Sequence, residues 1–137
     1  MARFRTTLFV LAAIVLLAAQ AHGAKQPVVY KATIDQSGTQ RIEMMGGSYY
    51  FKPDYVIVRV NVPVEVIVKK ESGFVPHNIV LHAPEAGIDF SVELSTEPTS
   101  IKFTPVRVGK YPFYCSKRFL FWTHRDKGME GILEVTE

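Results

Sequence analysis

YPFYCSKRFLFWTHRDKGMEG, residues 111–131, is the segment from which the architecture of this chain is best inferred. It holds the only cysteine, Cys115, followed by His124 and Met129, and a further histidine, His77, lies upstream in FVPHNIV. A thiolate, two imidazoles and a thioether suit copper cycling between Cu(I) and Cu(II), because soft sulfur favours the reduced ion and imidazole serves both states. The four side chains therefore predict a site for one copper ion.

Around this segment, short apolar runs alternate with turn residues. In residues 55–60 and 64–70, valines occupy every second position, which is typical of half-buried strands. No helical period is sustained after the N-terminal segment, and Gly, Pro and Asp turns separate the runs. The pattern predicts an all-β, antiparallel Greek-key sandwich or barrel of seven to eight strands. Periodicity alone equally allows an immunoglobulin-like domain.

Two irregularities are expected within these strands. Gly46 and Gly47 interrupt a predicted strand that spans residues 39–51, which indicates a bulge or a close backbone approach. Pro112 lacks an amide donor, so it belongs at an edge or at an irregular point of a sheet.

The strand predicted over residues 77–82 places His77, Ile79 and Leu81 on one face. A histidine on an apolar face is more often a hydrogen-bonded core residue than a ligand. The order His, Cys, His, Met along this chain instead favours a ligand role for His77. His82, on the opposite face, is expected at the surface.

The residues around the four donors resemble those of the cupredoxins, the family of small blue-copper electron carriers that includes plastocyanin and azurin. The first histidine of that family opens a strand in the context matched by Pro76-His77-Asn78. The remaining ligands follow an aromatic strand end, matched by Phe113-Tyr114-Cys115, on a loop that closes as Gly128-Met129-Glu130-Gly131 does. The resemblance extends from about residue 40 to the C-terminus.

The resemblance implies a cupredoxin-like domain in which His77, Cys115 and His124 bind copper in a trigonal arrangement and Met129 is a weak axial ligand. It also implies that Asn78 supports the site. The protein would be a one-electron carrier between redox partners, and not an enzyme. One departure is evident: cupredoxins usually place two to four residues between the cysteine and the histidine, whereas eight, SKRFLFWT, follow Cys115 here.

This insertion contains four consecutive large apolar residues, 119–122. One interpretation is an extra turn or short hairpin that extends the core. The other is a docking face at Phe119–Trp122 for a redox or copper-transfer partner. Such a face would be flanked by a basic rim, which consists of Lys117, Arg118, Arg125 and Lys127.

The N-terminus has the features of an export signal. The basic start MARFR is followed by a short apolar run and by Ala19-Gln20-Ala21, a typical cleavage site. A run of about 12 apolar residues is too short to cross a bilayer. We therefore predict a signal peptide over residues 1–21 and a periplasmic or secreted domain over residues 22–137, with no membrane span in the mature chain. Retention of the segment as an uncleaved anchor is the alternative.

Charge and cysteine content narrow the functional classes. The 16 basic residues exceed the 13 acidic ones by only three, and Arg3 and Arg5 lie in the predicted signal, so nucleic acid is not an expected partner. A single cysteine in an exported domain cannot form an internal disulfide, and metal binding would protect it.

Other functions remain open on the same residues. A periplasmic copper carrier or tolerance protein would use the same four donors, and a cupredoxin-fold copper enzyme would have an open coordination position. A metal-free domain is the remaining possibility. Met44, Met45 and His22 are alternative donors, although core packing for the methionines and terminal disorder for His22 are expected instead.

Overall fold

The computed structural model describes residues 25–137, and these residues are almost entirely β. The predicted signal peptide and His22 lie outside the described residues. The strands are β1 Val29–Lys31, β2 Gln40–Gly47, β3 Tyr50–Lys52, β4 Tyr55–Arg59, β5 Val64–Lys70, β6 Asn78–Ala83, β7 Ile88–Glu93, β8 Thr99–Phe103, β9 Gly109–Tyr114, β10 Arg118–Phe119, β11 Trp122–Thr123 and β12 Glu130–Thr136. The described residues also contain two single 3-10 turns, Pro84–Ala86 and Arg125–Lys127.

The strands form two main sheets and one small hairpin. The six-stranded sheet has the order β1-β4-β12-β9-β6-β7, the four-stranded sheet has the order β3-β2-β5-β8, and β10 pairs with β11. The predicted all-β sandwich is confirmed. The strands outnumber the seven or eight expected because several very short ones, including the β10–β11 hairpin, form separate elements.

The prediction of purely antiparallel sheets is wrong. β2 pairs with β5 in parallel, and β4 pairs in parallel with both β1 and β12. The chain leaves each of these strands for other strands before it returns alongside. Side-chain alternation records which face of a strand is buried and carries no information on the direction of its neighbour.

The core lies where the predicted alternation puts it. Val56 and Val58 of β4 are 1% exposed, and Val64, Val66 and Val68 of β5 are at most 5% exposed. Side chains of both main sheets belong to one buried cluster. Because both sheets pack against this one core, the strands that carry the candidate site are held in fixed positions.

The Gly46-Gly47 pair ends a strand and does not interrupt one. β2 runs without a bulge to Gly47, and the turn at residues 48–49 leads into β3, which pairs back along β2. The predicted close approach is confirmed, because a Cβ atom at Gly46 would lie 2.8 Å from Leu94 Cδ1. Pro112 lies in an inner strand, two residues before the point where β9 meets β6 at Tyr114.

Candidate metal centre

Three separate parts of the chain bring a histidine, a cysteine and a second histidine together. His77 directly precedes β6, Cys115 directly follows β9, and His124 precedes the 3-10 turn Arg125–Lys127. β6 and β9 are neighbours in the six-stranded sheet, and they place His77 and Cys115 at the same end of it. One ligand atom of each residue lies within 4.8 Å of the others.

The cluster is compact and buried. The Nδ1 atoms of His77 and His124 are 3.1 Å apart, and the Cys115 Sγ atom is 3.5 Å from His124 Nδ1. The exposed fraction is 5% for His77, 1% for His124 and 0% for Cys115. Buried polar groups need partners, and here the three donors face one another.

Burial also sets the protonation state of the two histidines. Desolvation lowers the pKa of His124 below its ordinary value. Desolvation is likewise the main cause of the lowered pKa of His77, and repulsion from His124, when that ring is protonated, and from Lys70 lowers it further. Both imidazoles are therefore held in the neutral form, which is the form that binds a metal.

Met129 is completely buried beside this cluster. Its amide donates a 3.0 Å hydrogen bond to the His124 carbonyl, and its carbonyl accepts one of 3.0 Å from the Cys115 amide. The backbone thus ties Met129 to two members of the cluster. A Cβ atom added at Gly46 would lie 3.5 Å from Met129 Cε, so β2 packs against this side chain. The axial ligand role of Met129 stays a prediction.

Asn78 connects the two strands that carry the site. It is 4% exposed, and its backbone amide donates a 3.5 Å hydrogen bond to Cys115 Sγ. Its side-chain Oδ1 accepts a 2.8 Å hydrogen bond from the Ser116 amide, and Nδ2 donates one of 2.8 Å to Ser116 Oγ. Asn78 therefore positions the residue next to the thiol as well as the thiol itself.

The residues between Cys115 and His124 form a hairpin that projects from the site and is closed at its base. The His124 amide donates a 2.8 Å hydrogen bond to the Lys117 carbonyl, and beyond this neck β10 pairs with β11. The residues at the tip turn back at Leu120, which has a φ of 52°. The eight residues between Cys115 and His124 thus fit without moving the histidine away from the thiol.

An extra turn or short hairpin that extends the core was one of the two expected structures. A short hairpin forms, but it does not extend the core. Phe119, Leu120 and Phe121 are 55%, 69% and 86% exposed. Trp122 is half-buried, and Lys127 Nζ lies 4.6 Å from its ring centroid. The three exposed side chains form an apolar tip at the surface.

The predicted basic rim is partly neutralised. Lys117 Nζ lies 2.7 Å from a carboxylate oxygen of Glu93, and Arg125 Nε lies 2.7 Å from one of Glu130. The Arg125 guanidinium also lies 4.5 Å from the centroid of the Tyr114 ring.

The other candidate donors lie elsewhere. Met44 is buried in the core and Met45 is half-buried. His82 is exposed, as predicted, and its Nδ1 atom lies 2.8 Å from Asp89 Oδ1. Sequence reasoning missed Tyr49, whose ring meets that of His124 edge-on at a centroid distance of 5.1 Å. The neighbouring Gly-Gly pair was the available signal, since it marks the tight hairpin that presents Tyr49.

Comparison with known proteins supports the architecture. No protein-family model and no curated protein matches the sequence. Among solved structures, the metal-binding domain of the Cu(I)-exporting P-type ATPase CopA of Streptococcus pneumoniae D39 has a TM-score of 0.60 at 22% identity, over 80% of this chain and 96% of that domain. Dithionite-reduced auracyanin from Roseiflexus castenholzii has a TM-score of 0.58 at 22% identity, over 71% of this chain and 97% of auracyanin.

A third similar structure is the periplasmic domain of cytochrome oxidase subunit II (CoxB) of Bradyrhizobium japonicum, with a TM-score of 0.53 at 17% identity, over 71% of this chain and 83% of that domain. Within residues 25–137, no helix has the length and apolarity needed to cross a membrane. The sheet order and these structural similarities show that residues 25–137 adopt a cupredoxin-type β-sandwich fold.

Proposed function

We propose that this chain is an exported protein that binds one copper ion through His77, Cys115 and His124, with Met129 as a weak axial ligand, and that it carries single electrons between redox partners. The proposal rests on one observation above all. Two neutral imidazoles and the only thiol of the chain converge within 4.8 Å of one another in a buried site.

The spacing of the donors fits a single transition-metal ion. Metal–nitrogen bonds of about 2.0–2.1 Å and metal–sulfur bonds of about 2.3 Å are typical of such ions. Two ligands of one trigonal ion then lie roughly 3–4 Å apart. The His77–His124 and Cys115–His124 distances of 3.1 and 3.5 Å fall in this range. Two nitrogens, one thiolate and a nearby thioether form the donor set preferred by blue-copper sites.

The chain contributes rigidity to this function. Copper supplies a one-electron couple, Cu(I)/Cu(II), when bound. Backbone hydrogen bonds of 2.8–3.0 Å link Cys115 to Met129, Met129 to His124, and His124 to Lys117. Asn78 fixes Cys115 from the adjacent strand. Ligands held this firmly rearrange little between oxidation states, which favours fast electron transfer.

The hairpin supports the proposed assignment of the third ligand. Because the Lys117–His124 hydrogen bond closes it at the neck, only Ser116 and Lys117 separate Cys115 from His124 along the shortest path. Two lies within the range of two to four intervening residues that is usual in cupredoxins. The long insertion is thus compatible with His124 in the place of the family's second histidine.

We further propose that the exposed tip docks a redox or copper-transfer partner. Its apolar part comprises Phe119–Trp122, and Lys117, Arg118, Arg125 and Lys127 provide the basic rim. Exposed apolar patches with polar surroundings often mark interaction sites. We assign no catalytic role to the site.

A copper carrier or tolerance protein is the second candidate. The structural similarity to the metal-binding domain of a Cu(I)-exporting ATPase favours it, since that domain was determined with Cu(I) and belongs to an exporter of the ion. A carrier must release its ion to an acceptor, whereas an electron carrier must retain it through many redox cycles. Rapid loss of copper to a modest chelator would therefore favour copper handling.

The decisive experiment is a visible absorption spectrum of the protein with added Cu(II). We expect an intense sulfur-to-copper charge-transfer band with a stoichiometry of one ion per chain, and its loss in Cys115→Ser. His82→Gln, which changes an exposed histidine, is the matched control and should retain the band. A folded wild-type protein that gives no such band, or that binds only zinc, would refute the proposal.

A further inference from the structure

The four proposed ligands differ in their distance from solvent. Cys115 and Met129 are 0% exposed and His124 is 1% exposed, whereas His77 is 5% exposed. His124 is enclosed although the insertion that precedes it has an exposed tip. His77 directly follows six exposed residues, 71–76. The cluster is therefore nearest to solvent at His77.

A surface cleft reaches the cluster at this point. It has a volume of about 60 Å³, and His77 forms part of its wall. One side is the β2–β3 turn, with Gly47 and Ser48, and the other is the β5–β6 loop, which contributes Lys70, Glu71, Ser72, Gly73 and Val75. A cavity of this size admits one or two water molecules, and hence a small, partly dehydrated cation.

The mouth of the cleft is held in place by hydrogen bonds. The Glu71 amide donates a 2.9 Å bond to the Gly46 carbonyl, which joins the β5–β6 loop to β2. The Glu71 carboxylate accepts a hydrogen bond from the Tyr50 hydroxyl. Lys70 Nζ donates a 2.7 Å bond to the Gly73 carbonyl and thereby closes the loop on itself. A fixed carboxylate therefore stands at the rim, where it offsets the positive charge of Lys70 and offers oxygen atoms to a cation.

We propose that this cleft is the port through which the copper ion reaches and leaves the site, with His77 as the first ligand that it meets and Glu71 as the carboxylate that draws it in. The proposal rests on the copper site proposed above. It separates the route of the metal from the apolar hairpin tip, none of whose residues lines the cleft. Metal exchange and partner docking then use different surfaces.

Closing the port without touching a ligand tests the proposal. Ser72 is exposed and lines the cleft, so Ser72→Trp adds bulk at the mouth and removes no core contact. Ser48→Trp does the same from the opposite wall. The matched control is Ser91→Tyr, which adds comparable bulk at an exposed position of β7 that does not line the cleft. Growth of the charge-transfer band after mixing with Cu(II), and its decay in excess EDTA, give the two rates.

We expect both tryptophan variants to slow uptake and removal by about tenfold or more, a barrier increase of about 1.4 kcal/mol. The final spectrum and the dissociation constant should equal those of the wild type. Glu71→Gln should slow uptake at low salt and lose this effect at high salt, because screening weakens the attraction. Ser91→Tyr should exchange at the wild-type rate.

Wild-type rates in both tryptophan variants, or an equal slowing in Ser91→Tyr, would overturn the port. Absence of the band in the wild-type protein itself would instead overturn the copper site, and the port with it. The two failures are therefore distinguishable in one set of measurements.

Discussion

The amide of His124 donates a 2.8 Å hydrogen bond to the carbonyl of Lys117, and this bond isolates the inserted hairpin from the candidate metal centre. The donor and acceptor residues lie seven positions apart in the sequence. On one side of the bond are Cys115 and His124, with their side chains 3.5 Å apart. On the other side is a hairpin whose tip is in solvent.

Removing the hairpin should therefore leave the site intact. Replacing residues 118–123 with two glycines would give a four-residue β-turn that preserves the Lys117–His124 hydrogen bond. We expect the visible band and the copper affinity to be retained. We expect the free energy of unfolding to fall by about 1–3 kcal/mol, because Trp122 is half-buried and the two hydrogen bonds between Thr123 and Asp126 are lost, whereas the other three apolar residues are exposed.

The matched control keeps the hairpin and replaces Phe119, Leu120 and Phe121 with serine. If this tip docks a partner, both variants should lose partner binding to a similar extent. A folded glycine variant without the visible band would show that the insertion builds the metal site.

Replacing Asn78 should lower the free energy of unfolding and shift the visible band of the copper-loaded protein. Asn78→Ala removes two hydrogen bonds to Ser116 at a buried position, which should cost about 1–3 kcal/mol in urea unfolding. The looser Cys115 should shift the visible band. Ser116→Ala removes only the bond to its hydroxyl and should cost less, with a smaller shift. Equal stability of Asn78→Ala and wild type would contradict the positioning role.

The β-sandwich class was predictable because it depends on local patterns: alternating valines identify the buried faces of β4 and β5. The cupredoxin-type fold and the grouping of the donor residues were expected from the resemblance to the cupredoxins, since periodicity alone equally allows an immunoglobulin-like domain. Strand direction was not predictable, because the parallel pairing of β2 with β5 joins residues such as Ile42 and Val66 that have no local relationship. The edge-on contact of Tyr49 with His124 depends in the same way on a turn distant in sequence.

In the inserted hairpin, the local sequence and the observed burial disagree. Its sequence, four large apolar residues in succession, is that of a buried strand. The structure exposes three of them because the neck at Lys117 and His124 directs the chain into solvent. The expectation that these residues extend the core is therefore wrong for three of them, and docking at the tip stays a prediction.

The four-stranded sheet should show an acid-dependent stability that centres on Glu65. The Ser100 hydroxyl, which donates a 2.7 Å hydrogen bond to Glu65 Oε1, is the main cause of the lowered pKa of this carboxyl, and Arg41 and Lys102 lower it further. Because the folded pKa lies below the ordinary value of 4.5, the stabilisation is complete above that value and disappears as the pH falls through the folded pKa.

Urea midpoints between about pH 7 and pH 2 measure this effect. Glu65→Gln should weaken the fall in stability below pH 4.5, and Ser100→Ala should weaken it partly. Glu85→Gln, at an exposed position, is the control and should behave as the wild type. A Glu65→Gln protein with an unchanged pH profile would assign the acid sensitivity to other carboxyls.

Gly46 should determine how Met129 approaches the metal. Its missing side chain leaves room for Leu94 and Met129, and a Cβ atom there would lie 2.8 Å from Leu94 Cδ1 and 3.5 Å from Met129 Cε. Gly46→Ala forces these side chains to move, which should cost about 1–3 kcal/mol of stability. If Met129 is the axial ligand, the reduction potential and the visible spectrum should change as well, since the axial ligand tunes both. Leu94→Val in the Gly46→Ala background removes the closest obstacle and should restore stability and spectrum in part. Loss of stability with an unaltered spectrum and potential would show that Met129 packs beside the metal without acting on it.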